Sequence, residues 1–268
     1  MSKLVPFLKW PGGKRWFLAK HSSLLPDNYK RYIEPFLGSG CVFFHICPER
    51  ALLGDINKDL IACYLALRED PYAVEEILEC HEFNHCKEYY YAVRASRPRS
   101  LAAKAANFIY LNRTCFNGIY RVNLNGTFNV PKGTKDSVIF DDDDFYAIAS
   151  ALRGAKIRPI DFEKLIDEAR TDDFVFADPP YITSHSNNGF VKYNEKLFSW
   201  KDQVRLAKVL TRARDRGVKI VLTNANHDSV RNLYKDAGFT LTTTSRFTSI
   251  SADADGRQQF EELIVTAT

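Results

Sequence analysis

Long apolar runs are absent from this chain. Stretches such as residues 174–177 and 218–222 are strand-sized and far short of a membrane span. The first fourteen residues are too short and too polar to contain the apolar region of a signal peptide. The six cysteines, at positions 41, 47, 63, 80, 86 and 115, form no Cys-x-x-Cys pair and no zinc-like spacing. These absences lead to the expectation of reduced thiols, a cytoplasmic location and no metal. Excess charge of one sign is missing too. The 37 Lys and Arg face 33 Asp and Glu, a net charge of +4, so any claim of nucleic-acid binding must rest on local clustering. Internal repeats and low-complexity linkers are lacking. With 45% hydrophobic and 26% charged residues, 13 Gly and 11 Pro, the composition excludes collagen-like, coiled-coil and wholly disordered chains. A length of 268 residues fits one large domain, or a core with a smaller insertion.

What is present is strand–helix alternation with an interruption. Residues 32–36 read as a short strand, stopped by Gly38-Ser39-Gly40, and residues 51–54 as a second, ending at Asp55. Residues 58–68, 73–82, 88–95 and 101–112 carry apolar residues three and four apart and are expected to be helices, with Pro71 and Pro98 at boundaries. Residues 115–131 are rich in Asn and Gly. Asn125-Gly126 between two short runs signals a hairpin. The carboxylate run Asp141–Asp144 precedes a periodic stretch at 145–152 and is expected to open a helix, where negative charge is favourable. Strands at 174–177, 219–223, 239–244 and 263–267 then alternate with helices at 199–216 and 228–237. The expected fold is α/β, with a mostly helical segment inserted at about residues 60–155.

Three places carry chemistry. Asp178-Pro179-Pro180-Tyr181 directly follows a strand of the buried type, and ligands of open α/β sheets bind beyond the carboxyl ends of strands. Two prolines remove two backbone donors and stiffen the turn, leaving carbonyl acceptors beside a flat aromatic face. That arrangement suits a planar ligand with an amino group, such as a nucleobase. Glu34-Pro35-Phe36-Leu37-Gly38-Ser39-Gly40 is a strand leading into a glycine turn that lets a ligand approach the backbone. Asp55, at the next strand end, is placed to hold ribose hydroxyls. The third glycine of the dinucleotide fingerprint is replaced by Phe43, which disfavours a pyrophosphate. Lys9-Trp10-Pro11-Gly12-Gly13-Lys14 is either a turn with a partly buried Trp or a cap over a ligand. Asp161-Phe162 reads first as a helix N-cap.

In this order, and with Asp55-Ile56-Asn57, Asn112-Arg113, Phe116-Asn117-Gly118, Arg121 and Phe128-Asn129-Val130-Pro131, these motifs resemble the Dam-type DNA adenine-N6 methyltransferases over essentially the whole chain. The resemblance implies a Rossmann-like sheet that uses S-adenosylmethionine, formed by residues 1–59 and 156–268. It implies a target-recognition insert at 60–155, mostly helical and carrying a β-hairpin. Asp178, Pro179, Pro180 and Tyr181 would be catalytic. Trp10, Lys14, Phe36, Gly38, Gly40, Asp55, Asp161, Phe162 and Asp178 would bind the cofactor. Lys9, Arg113, Phe116, Asn117, Gly118, Ile119, Arg121, Asn123 and Pro131 would contact double-stranded DNA, with GATC as the site. Phe116 stands where Tyr is commoner in the family, and Val122 also replaces a commoner Tyr. The polar loop at 183–197, with Phe190 and Tyr193, is either an ordinary surface loop or a cover for the flipped base. The enzyme would be a monomer, associated with the nucleoid, with no membrane and no obligate protein partner. Methylation of RNA or of a protein amide, and a catalytically dead DNA-binding homologue, stay open as alternatives; a nicotinamide oxidoreductase is disfavoured.

Overall fold

The computed structural model describes residues 4–118, 120–122, 128–181, 198–247 and 259–267. The chain divides into two compact units, the first comprising Met1–Arg15, Leu37–Glu49 and Asp55–Pro159, the second Trp16–Phe36, Arg50–Gly54 and Ile160–Thr268. The helical segment expected at 60–155 lies within the first unit.

The second unit is built on a sheet of six of the seven described strands, in the order β2-β1-β4-β5-β7-β6. These are β1 (Tyr32–Glu34), β2 (Ala51–Asp55), β4 (Phe174–Ala177), β5 (Lys219–Ala225), β6 (Thr240–Phe247) and β7 (Gln259–Ala267). Neighbours from β2 to β5 are parallel, with Tyr32 opposite Ala51 and Phe174, and Val175 opposite Ile220. β7 runs antiparallel between β5 and β6. Every residue of β4 is buried, as expected of a parallel strand covered on both faces. Helices α8 (Phe162–Asp167), α9 (Trp200–Asp215) and α10 (Asp228–Asp236) belong to this unit. Its core unites Ile33, Val175, Ile220 and Leu222 from the sheet with Leu165, Leu206, Leu210 and Val230 from the helices. Ser199 and Asp202 form a capping box that fixes the start of α9. The chain turns to opposite sides from β1 and β4, so their carboxyl ends mark the switch point where such sheets bind ligands.

The first unit is mostly helical. It holds α2 (Cys41–Ile46), α3 (Lys58–Glu69), α4 (Pro71–Phe83), α5 (Lys87–Ala95), α6 (Leu101–Thr114) and α7 (Phe145–Leu152), and the strand β3 (Ala155–Pro159). Leu60, Ile61, Tyr64 and Leu67 of α3 are buried, as are Ala105, Ile109 and Tyr110 of α6, which packs against it. Asn57, Asp70, Ser100 and Asp144 cap α3, α4, α6 and α7 with side-chain oxygens, and Pro71 occupies the first turn of α4. Asp144 thus serves the helix start expected of the acidic run.

Several boundaries differ from the sequence reading. Proline after Glu34 ends β1 two residues early. The C-terminal strands are longer than their apolar cores, because pairing of β6 with β7 continues to Phe247 and Gln259. Helix α1 (Arg15–His21) was not expected; only Phe17 and Leu18 are buried on it, too few for a visible period. Of the hairpin, the described part shows Val122 bridged to Phe128 and Cys115 to Lys132. Its Asn125-Gly126 turn, with Ile119, Asn123 and the whole loop at 183–197, lies outside the described residues. Among the described residues no helix is long and apolar enough to cross a membrane, and no group of His, Cys, Asp and Glu is arranged to hold a metal.

Candidate active site

In the second unit, Asp178 follows the last residue of β4, at the switch point. Its carboxylate accepts a hydrogen bond from the Thr223 hydroxyl of β5 at 2.9 Å. Asp178 remains partly exposed and Pro179 is buried. The Tyr181 hydroxyl donates to Glu262 of β7 at 2.5 Å. Burial, and then the Asp178 and Glu262 carboxylates, push the Tyr181 phenol pKa well above its ordinary value, so the ring is a neutral donor. Phe36, just beyond β1, stacks on Phe162 at 5.3 Å and 28° and meets Phe198 edge-on at 5.7 Å. Asp161 caps α8 through the N–H of Glu163 and pairs with both terminal nitrogens of Arg205 at 3.0 and 2.9 Å. Arg205 also lies 4.2 Å over the Phe162 ring. The Asp161 carboxylate is therefore engaged in capping and ion pairing, and Phe162 is buried against Phe36, Phe198 and Arg205.

The first unit holds the glycine turn. Gly38 and Gly40 have φ of +48° and +64°, the left-handed region that favours glycine. A Cβ on Gly38 would come within 2.7 Å of the Trp10 indole, and one on Gly40 within 3.0 Å of the Tyr64 hydroxyl. The Gly38 peptide is fixed at both ends: its N–H donates to Asp55 and its carbonyl accepts from Tyr64. Burial pushes the Asp55 carboxyl up, against the N–H groups of Asn57, Gly38 and Ile56, which pull it down. Trp10 stacks against Tyr120 at 5.7 Å and Phe108 at 6.4 Å. Lys14 is buried, and its ammonium donates to the Gly12 carbonyl at 2.6 Å.

The proposed DNA-facing residues of the same unit divide into two kinds. Phe116 is 54% exposed, Asn117 sits at φ +57°, and Arg121 and Pro131 are exposed. Phe116 N–H donates to the Pro131 carbonyl, tying the hairpin base together. Lys9 is clamped through its backbone, whose N–H and carbonyl both bond the Asn112 amide at 2.9 and 2.8 Å. Its stem leaves no room for a side chain on Gly118. With Trp10, Lys135 and Phe140 it lines a cleft of about 400 Å³. Burial, and then the neighbouring Lys135, lower the Lys9 ammonium to about 8.

Arg113 is the correction. It was expected to contact DNA, yet it is 1% exposed. Its guanidinium bonds the carbonyls of Phe7 and Val138 and both oxygens of Asp143, and lies 4.5 Å over Phe140. All its donor groups face protein, so it holds the first unit together from within. Sequence reasoning also passed over Tyr64, Tyr120, Thr223, Arg205 and Glu262, whose roles depend on partners far away in the chain.

A mostly parallel sheet with a carboxylate, two prolines and an aromatic ring at its switch point is the arrangement of an α/β enzyme that binds its ligand beyond the strand ends. Residues 10–250 match the family described as D12 class N6 adenine-specific DNA methyltransferase, and the chain belongs to that family. The type II methyltransferase M1.LlaDCHI of Lactococcus lactis subsp. cremoris is 36% identical over 98% of this chain and 95% of its own length. The DNA adenine methylase of Vibrio cholerae is 32% identical over 100% of this chain and 98% of its own. The DNA adenine methylase of Escherichia coli K12 is 31% identical over 98% and 95%.

Proposed function

We propose that the chain transfers a methyl group from S-adenosylmethionine to N6 of an adenine flipped out of duplex DNA, within GATC. The observation that carries this reading is the Asp178 carboxylate at the end of β4, oriented by Thr223 and followed by Pro179, Pro180 and Tyr181. The adenine amine is a poor nucleophile because its lone pair is delocalised into the ring. Asp178 and the Pro179 carbonyl are acceptors for its two hydrogens, which localises the lone pair on nitrogen. Positive charge appears on that nitrogen as it takes the methyl and the methyl–sulfur bond breaks to leave a neutral thioether, and the Asp178 carboxylate stabilises the charge until the proton passes to solvent. Tyr181 offers its ring as a stacking surface for the extruded base.

The residues present fit the cofactor. In the first unit, the glycine turn at left-handed φ and the Asp55 carboxylate offer close backbone approach and a ribose acceptor; in the second, the Phe36 ring offers an apolar surface at the end of β1. Bound by these groups, S-adenosylmethionine supplies an electrophilic methyl. Replacing Asp55 by alanine is expected to weaken cofactor binding by about 1.5–3 kcal/mol, one hydrogen bond to a charged group. Calorimetry with S-adenosylmethionine checks this. Unchanged affinity would move the ribose elsewhere, and DNA affinity should stay near that of the unaltered protein.

The GATC assignment is supported by Lys9, Arg121 and Pro131 and by the family resemblance. Arginine on a hairpin is the usual bidentate reader of guanine, worth about 1–3 kcal/mol of discrimination. Expression in a methylation-free host, followed by mapping of methylated adenines, is expected to return GATC. Methylated adenines in a motif without central AT would overturn the sequence assignment and leave the chemistry standing. Arg121→Ala is expected to relax preference at one base pair more than it lowers non-specific binding. Equal loss of both would mark Arg121 as a phosphate contact.

A further inference from the structure

β7 carries a buried acid immediately before an aliphatic run. Glu262 is 2% exposed and is followed by Leu263, Ile264 and Val265, all fully buried. It lies between Ala225 of β5 and Thr244 of β6 in the sheet. A buried carboxylate loses hydration that only good hydrogen bonds restore, so an apolar residue would serve sheet stability at least as well. This carboxylate accepts a hydrogen bond from the hydroxyl of Tyr181, at 2.5 Å. The Thr223 hydroxyl, which bonds Asp178, is also within reach of the Tyr181 phenol. A tyrosine ring has two side-chain torsions, and tethering its far end to a rigid strand removes the freedom of both.

We propose that Glu262 is a positioning residue of the methyl-transfer site, its carboxylate holding the Tyr181 ring in the plane that stacks on the target adenine. This rests on the reading of Tyr181 as the stacking platform. Glu262 touches no reacting atom; it acts through the tyrosine hydroxyl. Its effect therefore falls on the methyl-transfer step and not on the affinities for S-adenosylmethionine or DNA.

The test compares Glu262→Leu, Glu262→Gln, Tyr181→Phe, Tyr181→Ala and the Glu262→Leu/Tyr181→Phe pair. Single-turnover methylation of a duplex carrying the mapped site is measured, together with fluorescence of 2-aminopurine at the target position. Glu262→Leu and Tyr181→Phe are each expected to slow methylation about tenfold, the loss of one hydrogen bond to a charged group, and the pair no further than either. Glu262→Gln keeps an acceptor and is expected to recover most of the rate. Fluorescence should rise in Glu262→Leu, because a loosened ring quenches the extruded base less. Independent, multiplying losses in the pair, or a Glu262→Leu protein with unaltered rate and fluorescence, would overturn the proposal. If Glu262→Leu fails to fold, Tyr181→Phe breaks the same bond from the other end, and an unaltered rate there overturns it equally. Full activity in Tyr181→Ala would instead overturn the stacking role on which the inference stands.

Discussion

Replacing Asp178 by alanine is expected to lower the methylation rate roughly a hundredfold or more while leaving the fold intact. The carboxylate is the charged acceptor assigned to the amine, and it meets the nitrogen as positive charge develops there. Its loss removes both orientation and electrostatic stabilisation, and these act in the same step. The structural consequence is local. Asp178 lies beyond the end of β4, is partly exposed, and gives up a hydrogen bond from Thr223 at 2.9 Å. That bond, to a charged group, is worth about 1.5–3 kcal/mol, to be set against a buried sheet whose apolar contacts stay in place. Asp178→Asn keeps one carbonyl acceptor without the charge, so its rate should fall between the two. Single-turnover transfer of labelled methyl to duplex DNA measures all three proteins, and thermal melting monitors the fold. A purified Asp178→Ala protein that methylates at the unaltered rate would remove the carboxylate from the mechanism.

The place of Asp178 just beyond the end of β4 was legible in the sequence because the signals for that turn are local. Four apolar residues announce β4, the prolines fix the turn, and the rule that ligands gather at strand ends supplies the place. The Gly38–Gly40 turn was legible for the same reason: left-handed backbone and close approach are written in the glycines themselves. Asp161 was read first as a cap, and it is one, because N-capping is decided within three residues. What escaped is what depends on distant partners. Glu262 fell outside the strand expected at 263–267; pairing with β5 and β6 carries the strand back to Gln259 and includes the acid. Tyr120 read as one residue of a hairpin arm, whereas its ring stacks on Trp10, which lies near the other end of the first unit's sequence. Arg113 was misread because an arginine just before an Asn-rich hairpin looks like a phosphate or base contact. Its burial is fixed by Phe7, Val138 and Asp143, which lie 106, 25 and 30 residues away.

The position of Arg113 sets the second large expected effect. Arg113→Ala should destabilise the protein by about 3–5 kcal/mol, the usual result of removing one member of a buried ion pair. The loss has several parts. The carbonyls of Phe7 and Val138 lose donors, the Asp143 carboxylate, itself nearly buried, loses its cation, and the Phe140 ring loses the guanidinium above it. Asp143 would keep the N–H of Phe140, a single bond for a charge in a poorly hydrated place. Because α6 carries Arg113, and Phe7 precedes Lys9 by only two residues, loosening this network should also loosen the segment that presents Lys9 and Trp10. Lysine at 113 should recover little, since an ammonium cannot reproduce a fork that meets two carboxylate oxygens and two carbonyls at once. Removing both partners, Arg113→Ala with Asp143→Ala, should destabilise less than the two single losses added together, because no charge is then left buried alone. Thermal denaturation reads the effect as a fall in Tm on the order of 10 °C for Arg113→Ala. A surface contact to DNA would behave in the opposite way, lowering DNA affinity with Tm unchanged. An Arg113→Ala protein that melts within a degree or two of the unaltered one, and binds DNA more weakly, would return this residue to the DNA interface.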